Sequence, residues 1–372
     1  MDKMDLKKEC YKKAIEVLEK CATSHGFYAS GGIDGYDAVW SRDSMIASLG
    51  ASLVGKKFKK TFAESITTLS EGQSKNGQIP NCVDKWSNRK SHIDFKTIDS
   101  SLWYLIGNYV YKHRFDGVLL KKYKKNIEKT IKWLEAQDSG EIGLLTQLPT
   151  SDWQDAFPHK YGYTINTQAL WYYVLILEKR TNEADALKKI VNEDKDDGLW
   201  NGSFYAPYRW KNHRTYKEIG EWFDSLGNVL AIVFGLADRE RANKILDYIK
   251  KEKVDKPYPL KAIFPAIKRG EKEWQDYFED CDAREPYSYL NGGVWTYIGS
   301  FYVLALIKTG RIEDAERALF EVAKGNKLRD WNFSEWVHGK SGEASVGGIQ
   351  AWNAGAYILA YESLKREKVL LP

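Results

Sequence analysis

Read with a 3.6-residue period, the chain alternates two kinds of helix. One kind is charged on one face and apolar on the other, and the spacing predicts such helices over 6–22, 57–73, 119–137, 182–192, 238–251 and 311–323. The other kind is apolar or aromatic nearly all round and falls over 44–54, 100–111, 167–177, 226–237, 294–307 and 348–363. Stretches such as SLWYLIGNYV and GVWTYIGSFYVLALI carry no continuous polar stripe, and a helix apolar on every side must be buried on every side. The amphipathic set therefore belongs outside and the apolar set inside. Inner helices recur at a spacing of about sixty residues. That period fits an all-α (α/α)6 barrel, twelve helices in two concentric rings, better than a short-period solenoid.

No Pro/Ser-rich linker or shift of composition divides the 372 residues, so one domain over 1–372 is expected. Net charge is +5, but the lysines lie on outer helices interleaved with acids, as in KKYKKNIEKTIK, which reads as a solvated face and not as a nucleic-acid surface. The opening MDKMDLKKEC has no apolar signal core, and no apolar run is long enough to span a bilayer. Cys10, Cys21, Cys82 and Cys281 lack zinc-type pair spacing and read as reduced thiols of a cytoplasmic protein. His159, His213 and His338 are scattered without metal-ligand spacing, and no phosphate-binding glycine loop or nucleophile elbow occurs. No metal, cofactor, nucleic acid or membrane partner is expected.

The chemistry then rests on the loops that lead into the inner helices: 36–43, 78–99, 151–166, 221–228, 284–295 and 333–350. In a barrel of this kind they share one mouth, where residues can converge on a ligand without carrying the packing. Aromatic residues beside acids and amides recur in nearly all of them, in a chain with 14 Trp and 23 Tyr. Sugars fit that mixture, because their C–H faces stack on rings while their hydroxyls need paired donors and acceptors. Breaking a glycosidic bond requires two carboxyl groups on opposite faces of the sugar, one protonated and one ionised. Asp152 and Asp155 precede the third inner helix and Glu335 precedes the sixth, so their loops face each other across a six-pair mouth. A neighbouring Trp desolvates a carboxyl and raises its pKa, which suits the acid, while either aspartate could instead brace its loop or cap a helix. Both stay candidates on these grounds. Glu343, in a Ser-Gly-Glu setting, is the fallback for Glu335.

With these residues in view, the chain resembles the (α/α)6 glycoside hydrolases that comprise glucoamylases, the amylo-α-1,6-glucosidase part of glycogen debranching enzymes, and alkaline/neutral invertases. Tyr36-Asp37-Ala38-Val39-Trp40-Ser41-Arg42-Asp43 is similar to the glucoamylase Y-x-x-x-W-T-R-D segment, whose Arg and Asp hold sugar hydroxyls and whose Tyr and Trp line the same subsite. Ile98 to Trp103 resembles a helix start of debranching enzymes. The stretch TSDWQDA, Thr150 to Ala156, resembles their T-W-M-D-A segment and continues into Asn166 to Trp171 as theirs does into I-N-A-L-W. That register makes Asp155 the implied general acid. Glucoamylases carry the acid directly after the Trp, where this chain has Gln154, so Asp152 stays an alternative.

Arg284-Glu285-Pro286 with Leu290 to Trp295 is similar to the glucoamylase R-Y-P…Y-N-G-G segment, whose Arg contacts sugar, and invertases share an N-G-G-x-W stretch. Phe333-Ser334-Glu335-Trp336 with Gln350-Ala351-Trp352 resembles S-E-Q…T-W of glucoamylases and P-E…Q-T-W of invertases, which aligns Glu335 with the general base. The resemblance implies an inverting, exo-acting hydrolase that releases a terminal glucosyl unit from an α-glucoside or short α-glucan without a cofactor. Asp155 would act as acid and Glu335 as base. Tyr36, Trp40, Arg42, Asp43, Trp86, Asp152, Trp153, Arg284, Trp295 and Trp336 would contact substrate. An invertase-like sucrose hydrolase, or a weakly catalytic sugar-binding protein on the same barrel, is the alternative. The chain shows neither the β-domain of many prokaryotic relatives nor a starch-binding module, which points to a short soluble oligosaccharide over granular polysaccharide.

Overall fold

The computed structural model describes residues 3–31, 36–85, 92–194, 197–213 and 216–372. Its helices in chain order are α1 (Lys3–Cys21), α2 (Ser41–Ala51), α3 (Lys59–Glu71), α4 (Asp99–Arg114), α5 (Val118–Lys122), α6 (Lys124–Glu135), α7 (Ile165–Leu177), α8 (Thr181–Val191), α9 (Ser225–Phe234), α10 (Arg239–Lys251), α11 (Thr296–Lys308), α12 (Ile312–Trp331) and α13 (Ala351–Lys365). Every predicted segment is helical, but the stretch expected as one helix over 119–137 is two, giving thirteen α-helices among the described residues instead of twelve. Tyr123 stands between α5 and α6 with φ −101° and ψ 21°, its ring buried. Helical dihedrals in α12 stop before Leu328, and Arg329 and Asp330 take positive φ of 52° and 56°, which turns the chain sharply toward the last loop.

Burial sorts the helices as their patterns require. Every residue of α2 and of α9 is buried. By contrast, α10 buries only Ala242, Ile245, Leu246 and Ile249, the i, i+3, i+4, i+7 stripe of an outer helix. Around the inner ring α2 packs on α4, α4 on α7, α7 on α9, α9 on α11 and α11 on α13, and α13 returns to α2. Outside, α3 lies against α2 and α4, α6 against α4, α8 against α7, α10 against α9 and α12 against α11, while α1 covers the seam at α13. One apolar cluster runs through both rings.

The mouth is stitched by strand pairs too short to leave a periodic trace in the sequence. Val39–Trp40, just before α2, pairs with Cys82–Val83, which pairs in turn with Ile93–Asp94. Tyr163–Thr164, before α7, pairs with Tyr208–His213; Phe223–Asp224, before α9, with Ile263–Phe264; and Ile349–Gln350, before α13, with Ser30–Gly31. Each of these four inner helices therefore starts from a hydrogen-bonded pair.

The ring closes where α13 meets α2 backbone to backbone. A Cβ added at Gly50 would stand 1.9 Å from the Gly355 carbonyl oxygen, and one at Gly355 would stand 2.4 Å from the Ala47 backbone. Backbone atoms at the obstacle cannot swing aside. Gly355→Ala gains about 1 kcal/mol of helix propensity but forces the two helices apart, at a cost of about 1–3 kcal/mol or more. The melting temperature is expected to fall by about 2 °C or more, whereas Gly117→Ala, with nothing within 4 Å of the new methyl, should be neutral or slightly stabilising. Equal melting temperatures for the two variants would remove the closure argument.

Candidate active site

Loops before α2, α7, α11 and α13 meet in one cavity at the mouth. The first contributes Tyr36 and Trp40, with Arg42 and Asp43 from the start of α2 itself. The second brings Trp153 and Asp155, the third Tyr289 and Trp295, and the last Glu335, Gln350 and Trp352. Since α7 is third and α13 sixth in a closed ring of six, Asp155 and Glu335 come from opposite sides.

Aromatic rings build the walls edge to face. Trp295 meets Trp153 at 5.5 Å and 82° and Trp352 at 5.7 Å and 85°, and Tyr36 meets Trp40 at 5.5 Å and 80°. Beneath them Tyr297 stacks on Trp352 at 4.3 Å, so the rings are fixed by one another and present preformed faces. Glu335 arrives on a strained turn: Arg329, Asp330, Trp331 and Phe333 all have positive φ, between 47° and 62°. Asn353 of α13 pins this turn, donating from Nδ2 to the carbonyl oxygens of Phe333 at 3.2 Å and Ser334 at 2.8 Å.

Charge is concentrated round the cavity. Arg42 Nη1 donates to both oxygens of Asp99, at 3.1 and 3.2 Å, in a pair almost wholly out of solvent. Asp43 is buried in the first turn of α2. Burial pushes the Asp43 carboxyl up to about 6 although Arg42 opposes the rise. Glu335 is pushed to about 7 by burial and by the neighbouring Asp43 and Asp155, while the Tyr36 hydroxyl, which donates to its Oε1 at 3.3 Å, pulls the other way. Asp155 is exposed at the edge of the cavity, and the protein crowded round its carboxyl raises it against the pull of Arg42. Burial thus raises all three carboxyls above their ordinary values.

Of the residues expected to touch substrate, Tyr36, Trp40, Arg42, Asp43, Trp153 and Trp295 line this cavity with Asp155 and Glu335. Asp152 does not. It lies fully buried behind the loop, ion-paired with Lys160, whereas Trp153 and Asp155 line the cavity. Arg284 also stays out of the inner cavity: it is exposed, donates from Nη1 to the Glu279 carbonyl oxygen at 3.1 Å, and lines a wider vestibule with Asp282, Glu285 and Trp336. The vestibule shares Tyr36, Tyr289 and Glu335 with the inner cavity. Trp86 lies outside the described residues. Tyr289 was not singled out by the sequence; it stands two residues before Asn291-Gly292-Gly293, and its positive φ of 44° is a feature no residue pattern announces. Among the described residues no group of His, Cys, Asp or Glu could hold a metal ion.

Residues 209–367 match the family described as alkaline and neutral invertase. Cytosolic invertase 1 of Oryza sativa subsp. japonica is 34% identical over 145 residues, covering 37% of this chain and 25% of that protein. Probable alkaline/neutral invertase F of Arabidopsis thaliana is 35% identical over 145 residues, covering 37% and 28%. Each of these matches spans about a quarter of the relative's length, and the family match over 209–367 includes Glu335 but not Asp155. Among solved structures, the GH63 mannosylglycerate hydrolase of Thermus thermophilus in complex with Tris and D-glycerate has a TM-score of 0.69 at 14% identity, over 94% of this chain and 99% of that one. A bacterial glucoamylase complexed with acarbose has a TM-score of 0.68 at 16% identity, over 97% of this chain and 56% of that one. The chain has the (α/α)6 fold of the six-hairpin glycosidases.

The raised Glu335 carboxyl has a stability consequence. Between an unperturbed 4.5 and about 7 the folded chain keeps a proton that the unfolded chain releases, so stability falls as pH rises across that window and the penalty is complete above about 7. Solvent in the cavity screens part of it, leaving about 1–2 kcal/mol. Glu335→Gln is therefore expected to melt roughly 2–4 °C above the parent at pH 8 and no higher at pH 4. A shift of the same size at both pH values would show that the gain has another origin.

Proposed function

We propose that the chain is an inverting, exo-acting glycoside hydrolase that releases a terminal α-glucosyl unit from a small soluble glycoside. The observation that carries this reading is the placement of Asp155 and Glu335 on loops from opposite sides of the ring, lining one aromatic-walled cavity. The aromatic walls and the converging acids and amides suit one sugar ring, with the remainder of the substrate in the vestibule. The reducing side of the substrate then meets Arg284, Glu285 and Trp336, which keeps those residues as contacts of the departing group.

Asp155, its carboxyl raised by the protein around it, gives its proton to the glycosidic oxygen as the bond to the anomeric carbon breaks. Glu335 takes a proton from a water that attacks the same carbon from the other face. Inversion needs the two carboxyls about 6.5–9.5 Å apart, leaving room for that water, whereas a retaining pair stands about 5 Å apart. The Tyr36 hydroxyl supports the ionised form of Glu335, as a base requires. Arg42 and Asp43 hold sugar hydroxyls by charge-assisted bonds, Arg42 being fixed in turn by Asp99. Four free cysteines, three of them buried, fit a reducing cytoplasmic compartment.

A second reading is sucrose hydrolysis, and the match of residues 209–367 to invertases favours it. On that reading the vestibule takes a fructosyl leaving group, and the roles of Asp155 and Glu335 stand. Release of glucose from maltose, isomaltose, panose, trehalose, sucrose and glycogen separates the two. Asp155→Asn and Glu335→Gln should each lose roughly two to four powers of ten in turnover, and only the Asp155 variant should be partly rescued by α-glucosyl fluoride, whose leaving group needs little protonation. Near-parental turnover by Asp155→Asn, or no release from any of the six compounds, would overturn the reading.

A further inference from the structure

The stretch 148–162, which carries Asp155, contains neither helix nor strand. Two sets of backbone contacts hold its ends: Ile98 N donates to Ser151 O at 2.8 Å, and Gln147 and Gly162 exchange bonds at 3.0 and 2.9 Å. Between those ends the anchor is a side chain. Lys160 is fully buried, a rare state for a lysine, and its ammonium contacts Asp152 Oδ2 at 2.9 Å, Asp224 Oδ2 at 3.0 Å and Gln154 Oε1 at 2.5 Å. An ammonium has three protons, and here it has three acceptors. Two belong to residues immediately flanking Trp153, and the third to the residue that caps α9, where Asp224 Oδ1 accepts from Gly227 N at 3.2 Å. Asp152 ties the turn further, accepting from the Gln154 backbone at 3.0 Å and from Asn166 Nδ2 at 3.4 Å.

Resting on the hydrolase reading above, we infer that Lys160 is a positioning residue: without meeting substrate, it clamps the 152–154 turn to the head of α9 and so fixes where the next residue, Asp155, stands in the cavity. A buried ion cluster is a poor source of stability, since desolvation offsets most of its attraction, but it specifies geometry because the charges tolerate only one arrangement. Both Trp153 and Asp155 face the cavity, and a displacement of about 1 Å in a catalytic group can cost a hundredfold in rate. The clamp also reaches the sugar-binding side, because the charges of Asp152 and Lys160 both act on Asp99, the partner of Arg42.

Two variants test this. Lys160→Met keeps the length of the side chain and removes its charge. Asp224→Asn keeps an oxygen for Lys160 and a good helix cap but weakens the clamp, and it serves if the first does not fold. Turnover of maltose, which needs the acid, is expected to fall 30- to 100-fold in Lys160→Met and about tenfold in Asp224→Asn, with KM within threefold. Turnover of α-glucosyl fluoride should fall less than threefold in both. A purely structural role would lower both substrates in parallel, and parallel loss, or no loss, overturns the proposal. Hydrogen exchange reads the clamp independently of activity: amides of 148–162 should exchange at least tenfold faster in Asp224→Asn while α7 and α9 are unchanged. Unchanged exchange in 148–162 refutes the clamp even if the parent cleaves neither compound, an outcome that would separately refute the hydrolase reading.

Discussion

The closure of the inner ring, where α13 returns to α2 across Gly50 and Gly355, is the constraint on which the rest depends. These helices come from the two ends of the chain, and so do the walls of the cavity: Tyr36, Trp40, Arg42 and Asp43 from one side of the seam, Glu335, Gln350 and Trp352 from the other. The Tyr36 to Glu335 hydrogen bond spans it directly. If the two backbones could not approach, each half would keep its helix pairs and lose the site. Two glycines thus serve the chemistry without standing near it.

Two buried cations, Arg42 and Lys160, stand among six carboxyls, those of Asp43, Asp99, Asp152, Asp155, Asp224 and Glu335. The excess of acid adds to burial, the larger cause, in raising the carboxyls of Asp43, Asp155 and Glu335, which costs stability as the pH rises. It also favours positive charge, and the transition state of glycoside hydrolysis is oxocarbenium-like. The cations have separate tasks: Arg42 reaches the cavity itself, whereas Lys160 stays behind it.

The ring architecture was legible because it follows from helix periodicity and from which helices lack a polar face. The residues that line the cavity were legible where one short run fixes several at once, as Tyr36 to Asp43 does. Other features were hidden for physical reasons. Two-residue strands have no period, and the break at Tyr123 changes no hydrophobic register. Asp152 and Asp155 are alike in sequence, and only the burial of Lys160 tells which one faces inward. Arg284 sits in a segment that reads as sugar-binding, but its side chain is turned to the Glu279 carbonyl oxygen, in the outer vestibule. Tyr289 reaches the cavity through a left-handed backbone that composition does not signal.

The account stands on a water held between Glu335 and the sugar, attacking from the face opposite Asp155. Proton NMR of sugar freshly released from an α-linked substrate, recorded before mutarotation, reads that geometry directly. The β-anomer appearing first is the predicted result. The α-anomer appearing first, or a glycosyl group trapped on Glu335, would contradict both the inverting mechanism and the role given to that carboxylate.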